Sequence, residues 1–201
     1  LLYPELKKQL NSLTAVRIYK AGDARVVELK RQGESLTVSE RDNYPADEGK
    51  FRRLVGAIAD AKIYEEKTSN PQQYGTLGVE DTKGNGTTSI RVELVGLPKP
   101  VDLIVGKAGT GAKSMYVRRA GEPQSWLINQ STDTSATPEA WLRKDIVDVS
   151  ADRMQSARVE TKGAKPYTAA KGTRADADFA VEGLPKGKSL SAPSAANSVA
   201  T

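Results

Sequence analysis

Cysteine and histidine are both absent from this chain of 201 residues. Without cysteine there is no thiolate nucleophile, no zinc ribbon and no disulfide staple. Without histidine the commonest general base and the commonest transition-metal ligand are missing, so most hydrolase and metalloenzyme readings fail. The lack of cysteine does not select a compartment, because an envelope protein can dispense with disulfides as readily as a cytosolic one. Aromatic residues are scarce, at 5%. The formal charge is +5, from 30 basic and 25 acidic residues. The basic residues come as scattered doublets (Lys7-Lys8, Arg52-Arg53, Arg118-Arg119, Arg143-Lys144) beside acidic neighbours. A nucleic-acid face gathers such charge into a stripe with stacking aromatics, so no nucleic-acid partner is expected. No run of 18 apolar residues exists to span a bilayer. The chain opens on Leu1-Leu2-Tyr3-Pro4 rather than Met, as a piece of a longer protein would, leaving room for an upstream membrane anchor.

What is present suits a folded chain with much exposed surface: 38% of residues are hydrophobic and 27% charged. That is enough for one medium core or two small ones. Segment 15–19 (AVRIY) alternates, 25–30 (RVVELK) returns after Ala21-Gly22-Asp23, and 36–39 follows Gln32-Gly33. Three short strands joined by glycine-containing turns predict an antiparallel meander. The period then changes. Phe51, Leu54, Val55 and Ile58 stand at i, i+3, i+4 and i+7, one stripe of a helix. Asp47 and Glu48 put acidic groups at its start and Lys62 a cation at its end, as the helix dipole favours. This predicts a helix over 47–62 lying across the meander.

A second series follows the loop Lys83-Gly84-Asn85-Gly86, with strands expected at 89–95, 101–105, 114–118 and 125–129. Thr137-Pro138-Glu139 should open a short helix, docked on that second sheet by Trp141 and Leu142. Residues 156–159 then match 15–18 in pattern, and Phe179 and Val181 stand like Leu36 and Val38. We read 151–201 as the first unit begun again, with 193–200 opening a second helix that is cut off at Thr201 and so should be frayed or borrowed by a neighbour. The expected fold class is α+β: tandem units of antiparallel β-meander, each covered on one face by a helix. The expected divisions are 1–83, 84–150 and 151–201.

Few motifs carry chemistry. The loop 106–114 (GKAGTGAKS) looks like a phosphate cradle, but Ala112 stands where glycine should precede the lysine. A strand rather than a helix follows, so the expectation is a hairpin tip. Carboxylates group at Glu65-Glu66, Glu80-Asp81, Asp145/Asp148 and Asp176/Asp178. Acid–base hydrolysis needs two of them tuned apart across a cleft; these lie beside basic residues and read as solvated or ion-paired. Asp176 and Asp178 lack the further oxygens a calcium site needs. Segment 68–78 holds Asn70, Gln73 and Tyr74, which together with Trp126 are the candidate partner-binding residues. The competing reading is that Tyr74 and Leu77 cap the first core, and that Trp126 and Trp141 anchor the second.

Tyr44-Pro45-Ala46-Asp47 with the helix behind it, 67–71 (KTSNP), Tyr74 and Leu77-Gly78-Val79, then Tyr116-Val117-Arg118, Trp126-Leu127 and Trp141-Leu142, resemble the bacterial family known as domain of unknown function 4340. The resemblance covers nearly the whole chain; Leu36 departs from it, where many members carry Trp. It implies envelope proteins with an N-terminal anchor in the inner membrane and repeated α+β units facing the periplasm, some linked to ABC transporters of the gliding-motility type. It supplies no catalytic residues, and no cofactor or metal is expected. The implied role is a non-enzymatic, membrane-tethered periplasmic module whose partners are other envelope proteins. The alternative is a small-ligand or polysaccharide-binding module working through the loops near Tyr74 and Trp126. The sequence sets no oligomeric state.

Overall fold

The computed structural model describes the chain except residues 112, 146–148, 174, 185 and 201. It divides into two compact units, Leu1–Lys144 and Asp145–Thr201. The first begins with a short helix α1 (Leu6–Gln9) and the strands β1 (Ala15–Lys20), β2 (Ala24–Gln32), β3 (Ser35–Val38) and β4 (Tyr44–Pro45). Helix α2 (Glu48–Asp60) and strand β5 (Ile63–Glu66) follow, then helix α3 (Tyr74–Leu77) and the strands β6 (Ile90–Val95), β7 (Val101–Ala108), β8 (Met115–Arg119) and β9 (Ser125–Ile128). All nine strands form one antiparallel sheet in the order β4-β3-β2-β1-β6-β7-β8-β9-β5.

The expected meander and its covering helix are both there. Asp47 caps α2, its Oδ1 accepting the Lys50 backbone N–H at 2.8 Å, which satisfies one of the donors a helix start leaves free. Phe51, Leu54, Val55 and Ile58 are all buried, each contributing about 1.5–3 kcal/mol by leaving water. They share one core with Val16, Ile18, Val27, Leu29, Val92, Leu103, Val117, Trp126 and Trp141.

Two expectations differ from what the chain does. The division at 83/84 runs through a continuous sheet: β1 pairs with β6, placing Ile18 opposite Val92. Strand β5, from the first expected unit, pairs with β9 at the far edge. Hydrophobic alternation records which face of a strand is buried but not which strand lies beside it, so one core spans both segments. Trp141 also docks elsewhere than on a second sheet. Its carbonyl accepts the Asp47 N–H at 2.7 Å, Leu142 bridges to Ala46, and Lys50 Nζ sits 4.5 Å above its ring. The short 3₁₀ turn Pro138–Trp141 therefore seals the start of α2.

The second unit carries β10 (Ser156–Val159), β11 (Tyr167–Ala170) and β12 (Ala180–Glu182) as an antiparallel sheet in that order. The expected second helix takes 3₁₀ form over Pro193–Ala200. Ala169, Phe179 and Ala196 make its small core, with Met154, Val181, Leu190 and Val199 packed around.

Candidate functional site

The chain leaving β5 is held down by its own polar side chains. Asn70 Oδ1 accepts the Gln72 N–H at 3.1 Å, opening the 3₁₀ turn Pro71–Gln73 that runs into α3. Gln73 Oε1 accepts the Thr68 hydroxyl at 2.9 Å. Gly78 ends α3 with φ +70°, the left-handed conformation that glycine adopts without strain, and its N–H reaches Tyr74 O. The loop then lies flush on β7, where a Cβ on Gly106 would stand 2.3 Å from the Leu77 carbonyl oxygen.

Arg118 is the clamp. Its side chain is 3% exposed, and its guanidinium stacks 4.5 Å from the Tyr74 ring. It donates to Val79 O at 2.9 Å, to Glu122 O at 2.9 Å and to Asp81 Oδ1 at 2.7 Å. Tyr74 donates its hydroxyl to Pro123 O at 2.5 Å. With Val79 and Ile104 it forms a small buried cluster, and Leu77 and Tyr116 pack against it. Tyr74 thus caps the outer face of β7 and β8, not the core under α2.

The four candidate residues are not brought to one place. Trp126 pairs with Val117 and packs in the main core, with the Arg119 guanidinium 4.8 Å from its ring. Tyr74 packs beside Tyr116, one residue along β8, and successive residues of a strand point to opposite faces. Asn70 and Gln73 stay at the exposed rim. A cleft of about 410 Å3 beside β5 is lined by Glu65, Glu66, Lys67, Thr68, Gln73, Thr76 and Leu77. It contains Gln73 but neither aromatic residue.

The feature that sequence reasoning missed is on the sheet face opposite α2. Arg17 meets Glu28 at 2.7 Å and Glu93 at 3.6 Å. Tyr19 donates to Glu93 at 2.8 Å. Arg91 lies 3.8 Å over the Tyr19 ring and bonds Asp23 and Asp102, each at 3.0 Å. Arg25 reaches Glu28 at 3.5 Å and Glu40 at 3.8 Å, while Glu40 also accepts the Glu28 N–H at 2.8 Å. Arg17, Glu28, Arg91, Glu93 and Asp102 all occupy the polar phase of strands whose other phase is core. Reading that phase across strands, rather than along each, would have found them.

Electrostatics differ across this lattice. The Thr82 hydroxyl, with Arg91, holds the Asp23 carboxyl below the usual range despite some burial. Burial raises Glu28, but hydrogen bonds from Arg17 and Ser39 and the charge of Arg25 more than offset it, so its pKa is lowered. Asp102 goes the other way: burial raises it beyond what Arg91 recovers, and its Oδ1 lacks a hydrogen-bond partner among the described residues. The lattice sets Arg17, Arg25 and Arg91 against Asp23, Glu28, Glu40, Glu93 and Asp102, an excess of negative charge among its members.

The remaining motifs resolve locally. Gly109 N–H bonds Ser114 O at 3.0 Å across the hairpin between β7 and β8, and Lys107 Nζ bonds the carbonyls of Gly75 and Thr76. Glu65 pairs with Lys67 at 2.7 Å. Asp176 accepts the Thr173 N–H and hydroxyl, and Asp178 accepts from Asn197. Asp148 lies outside the described residues, and Asp145 takes part in no metal-like cluster; among the described residues no group of three or more acidic side chains could hold a metal ion.

A family model described as domain of unknown function (DUF4340) matches residues 37–199. No curated protein and no solved structure matches the chain.

Proposed function

Because the chain belongs to the DUF4340 family, we propose that it works as a non-enzymatic interaction module that offers the ion-paired sheet face to a protein partner. The observation that carries this is the lattice around Arg91. It is a broad polar surface, charged and preorganised by cross-strand pairs, with an acidic surplus suited to a basic patch on a partner. The side chains with chemical potential elsewhere are occupied by packing: Arg118 and Tyr74 clamp a loop, and Trp126 fills the core.

We further place the module at the periplasmic side of the inner membrane, as an accessory of an ABC-type export or gliding-motility system. The support for this is the family resemblance. No helix among the described residues is long and apolar enough to cross a membrane; the tether is the upstream anchor that the resemblance implies. The alternative, a small-ligand or polysaccharide-binding module, is supported only by the cleft at Gln73, since Tyr74 and Trp126 offer no exposed platform.

The test is purification of the full-length protein from membranes after cross-linking. Transporter subunits are expected in the complex, and Glu93→Arg, which reverses part of the acidic surplus, should remove them. Recovery of the protein with no transporter component would overturn the placement. Retention of the same partner by Glu93→Arg would overturn the surface.

A further inference from the structure

The loop Lys83-Gly84-Asn85-Gly86 belongs to none of the buried clusters and is exposed along its whole length. Its first half is tied to the turn after β1: the Gly22 N–H donates to Gly84 O at 3.3 Å, and the Asp23 N–H to Thr82 O at 2.8 Å. Its second half is free. Among the described residues the Asn85 side-chain amide has no hydrogen-bond partner, and the Gly86 N–H donates to no acceptor. A Cβ on Gly86 would meet nothing within 4 Å.

The other asparagines are engaged or differently followed. Asn43 accepts from Gln32, Asn129 from the Lys62 N–H, and Asn197 both accepts the Phe179 N–H and donates to Asp178. Asn70 accepts the Gln72 N–H and precedes Pro71, which has no N–H. Asn11 lies inside the 3₁₀ turn Leu10–Ser12 and precedes Ser12. Only Asn85 is followed by glycine.

That pairing carries an electrophile and a nucleophile in adjacent residues. The Gly86 nitrogen, deprotonated by hydroxide, attacks the Asn85 side-chain carbonyl carbon. A C–N bond forms and closes a succinimide ring, and the side-chain nitrogen leaves as ammonia. Glycine favours the step, because it has no Cβ to obstruct the approach and the widest backbone freedom. Water then opens the ring. Attack at the side-chain carbonyl leaves aspartate; attack at the backbone carbonyl routes the main chain through Cβ and leaves isoaspartate. The net change consumes one water, releases one ammonia and needs no oxidant or reductant.

We propose that Asn85-Gly86 is a self-modification site, at which the chain converts a neutral amide into a carboxylate on the rim of the ion-paired sheet face. A Cβ on Gly22 would stand 3.2 Å from Asn85 Oδ1, so the new charge arises beside the residue preceding Asp23. Asp23 bonds Arg91 at 3.0 Å and the Thr82 hydroxyl at 2.7 Å. The modification therefore deepens the acidic surplus at that corner and lowers the formal charge by one from +5. It is a property of the loop and does not rest on the face having a partner.

Incubation of the whole chain at mildly alkaline pH, followed by ion-exchange chromatography and tryptic mass mapping, tests it. Fragment 84–91 isolates Asn85 from every other asparagine. A more acidic form should accumulate, faster as pH rises, with isoaspartate and aspartate at position 85. The folded chain should convert at a rate close to that of a synthetic peptide of residues 81–91. Gly86→Val hinders the attack with a β-branched side chain, which the open space at Gly86 accommodates. The acidic form should then disappear while the melting temperature stays in place. Should that variant fail to fold, Asn85→Gln decides, because its longer side chain cannot close the same ring and should also abolish the acidic form. An Asn85 left intact while the free peptide converts, an acidic form that either variant still makes, or conversion centred on Asn11 would each overturn the proposal. None of these outcomes bears on partner binding at the Arg91 surface, which the cross-linking experiment reads separately.

Discussion

The meander β1-β2-β3 and the meander β10-β11-β12 follow one plan with unequal support. The first has β6 along its edge, and the 13-residue α2 buries Phe51, Leu54, Val55 and Ile58 above it. In the second no strand among the described residues lies along the outer edge of β10, a 3₁₀ segment stands in place of the α-helix, and the core is reduced to Ala169, Phe179 and Ala196. Register is the same in both, so it is set by local alternation and turns. Stability is not, because it scales with the apolar surface that neighbouring elements remove from water.

The comparison can be broken most directly at Phe179. Phe179→Ala removes the one large side chain of the small core, at a cost on the order of 3–5 kcal/mol, more than so small a unit can spare. Limited proteolysis should then cut within Asp145–Thr201 while the melting transition of Leu1–Lys144 stays in place; loss of both transitions together would show that the two meanders are not independent. Leu54→Ala is the matching change in the large core. About 2–5 kcal/mol should be lost, seen as a lowered first-unit transition in denaturant with the second unit's amide exchange unchanged.

Arg118→Met keeps the stem but removes three bonds and the stack on Tyr74. The expected loss is about 2–3 kcal/mol, confined to faster amide exchange over 68–82. Uniform acceleration across the sheet would mean that the clamp serves the whole core.

The smallest effects are those of pH on the sheet face, a face the second meander does not reproduce beyond Arg158. Asp23 and Glu28 have folded pKa values below their unfolded ones. Their stabilisation is complete above the unfolded values and is lost as pH falls through the folded ones. Asp102 is raised, so its contribution is full below its unfolded value and is lost as pH rises through the folded one. Thermal melts from about pH 2 to pH 6, the carboxylate range, should show a shallower acid loss in Asp23→Asn and a steeper one in Asp102→Asn. Equal slopes in the two variants would contradict the assignment.

Several elements were legible in the residues. The stripe at Phe51, Leu54, Val55 and Ile58 specified α2, and the likeness of Val181 to Val38 is reproduced by the strand register, while Phe179, just ahead of β12, is buried as Leu36 is. Strand β5 was not legible. Ile63, Tyr64, Glu65 and Glu66 are all exposed, so the alternation that marks a half-buried strand is missing. The candidate site was legible only in part. Asn70 and Gln73 were expected at an exposed loop and are there, but nothing along 68–78 reveals that Arg118, far away in sequence, draws Tyr74 inward.

Local order was therefore written in the residues themselves: which segments are strands or helix, where each turns, and which side of each is apolar. These follow from steric limits on the backbone and from the periods of two and 3.6, which act between near neighbours. Only the tertiary structure decided that β1 lies beside β6, that β5 crosses to the far edge, and that charges from four strands and two loops meet around Arg91. Those pairings depend on shape and charge matching between distant segments, and a pattern read along one strand carries no record of its neighbour.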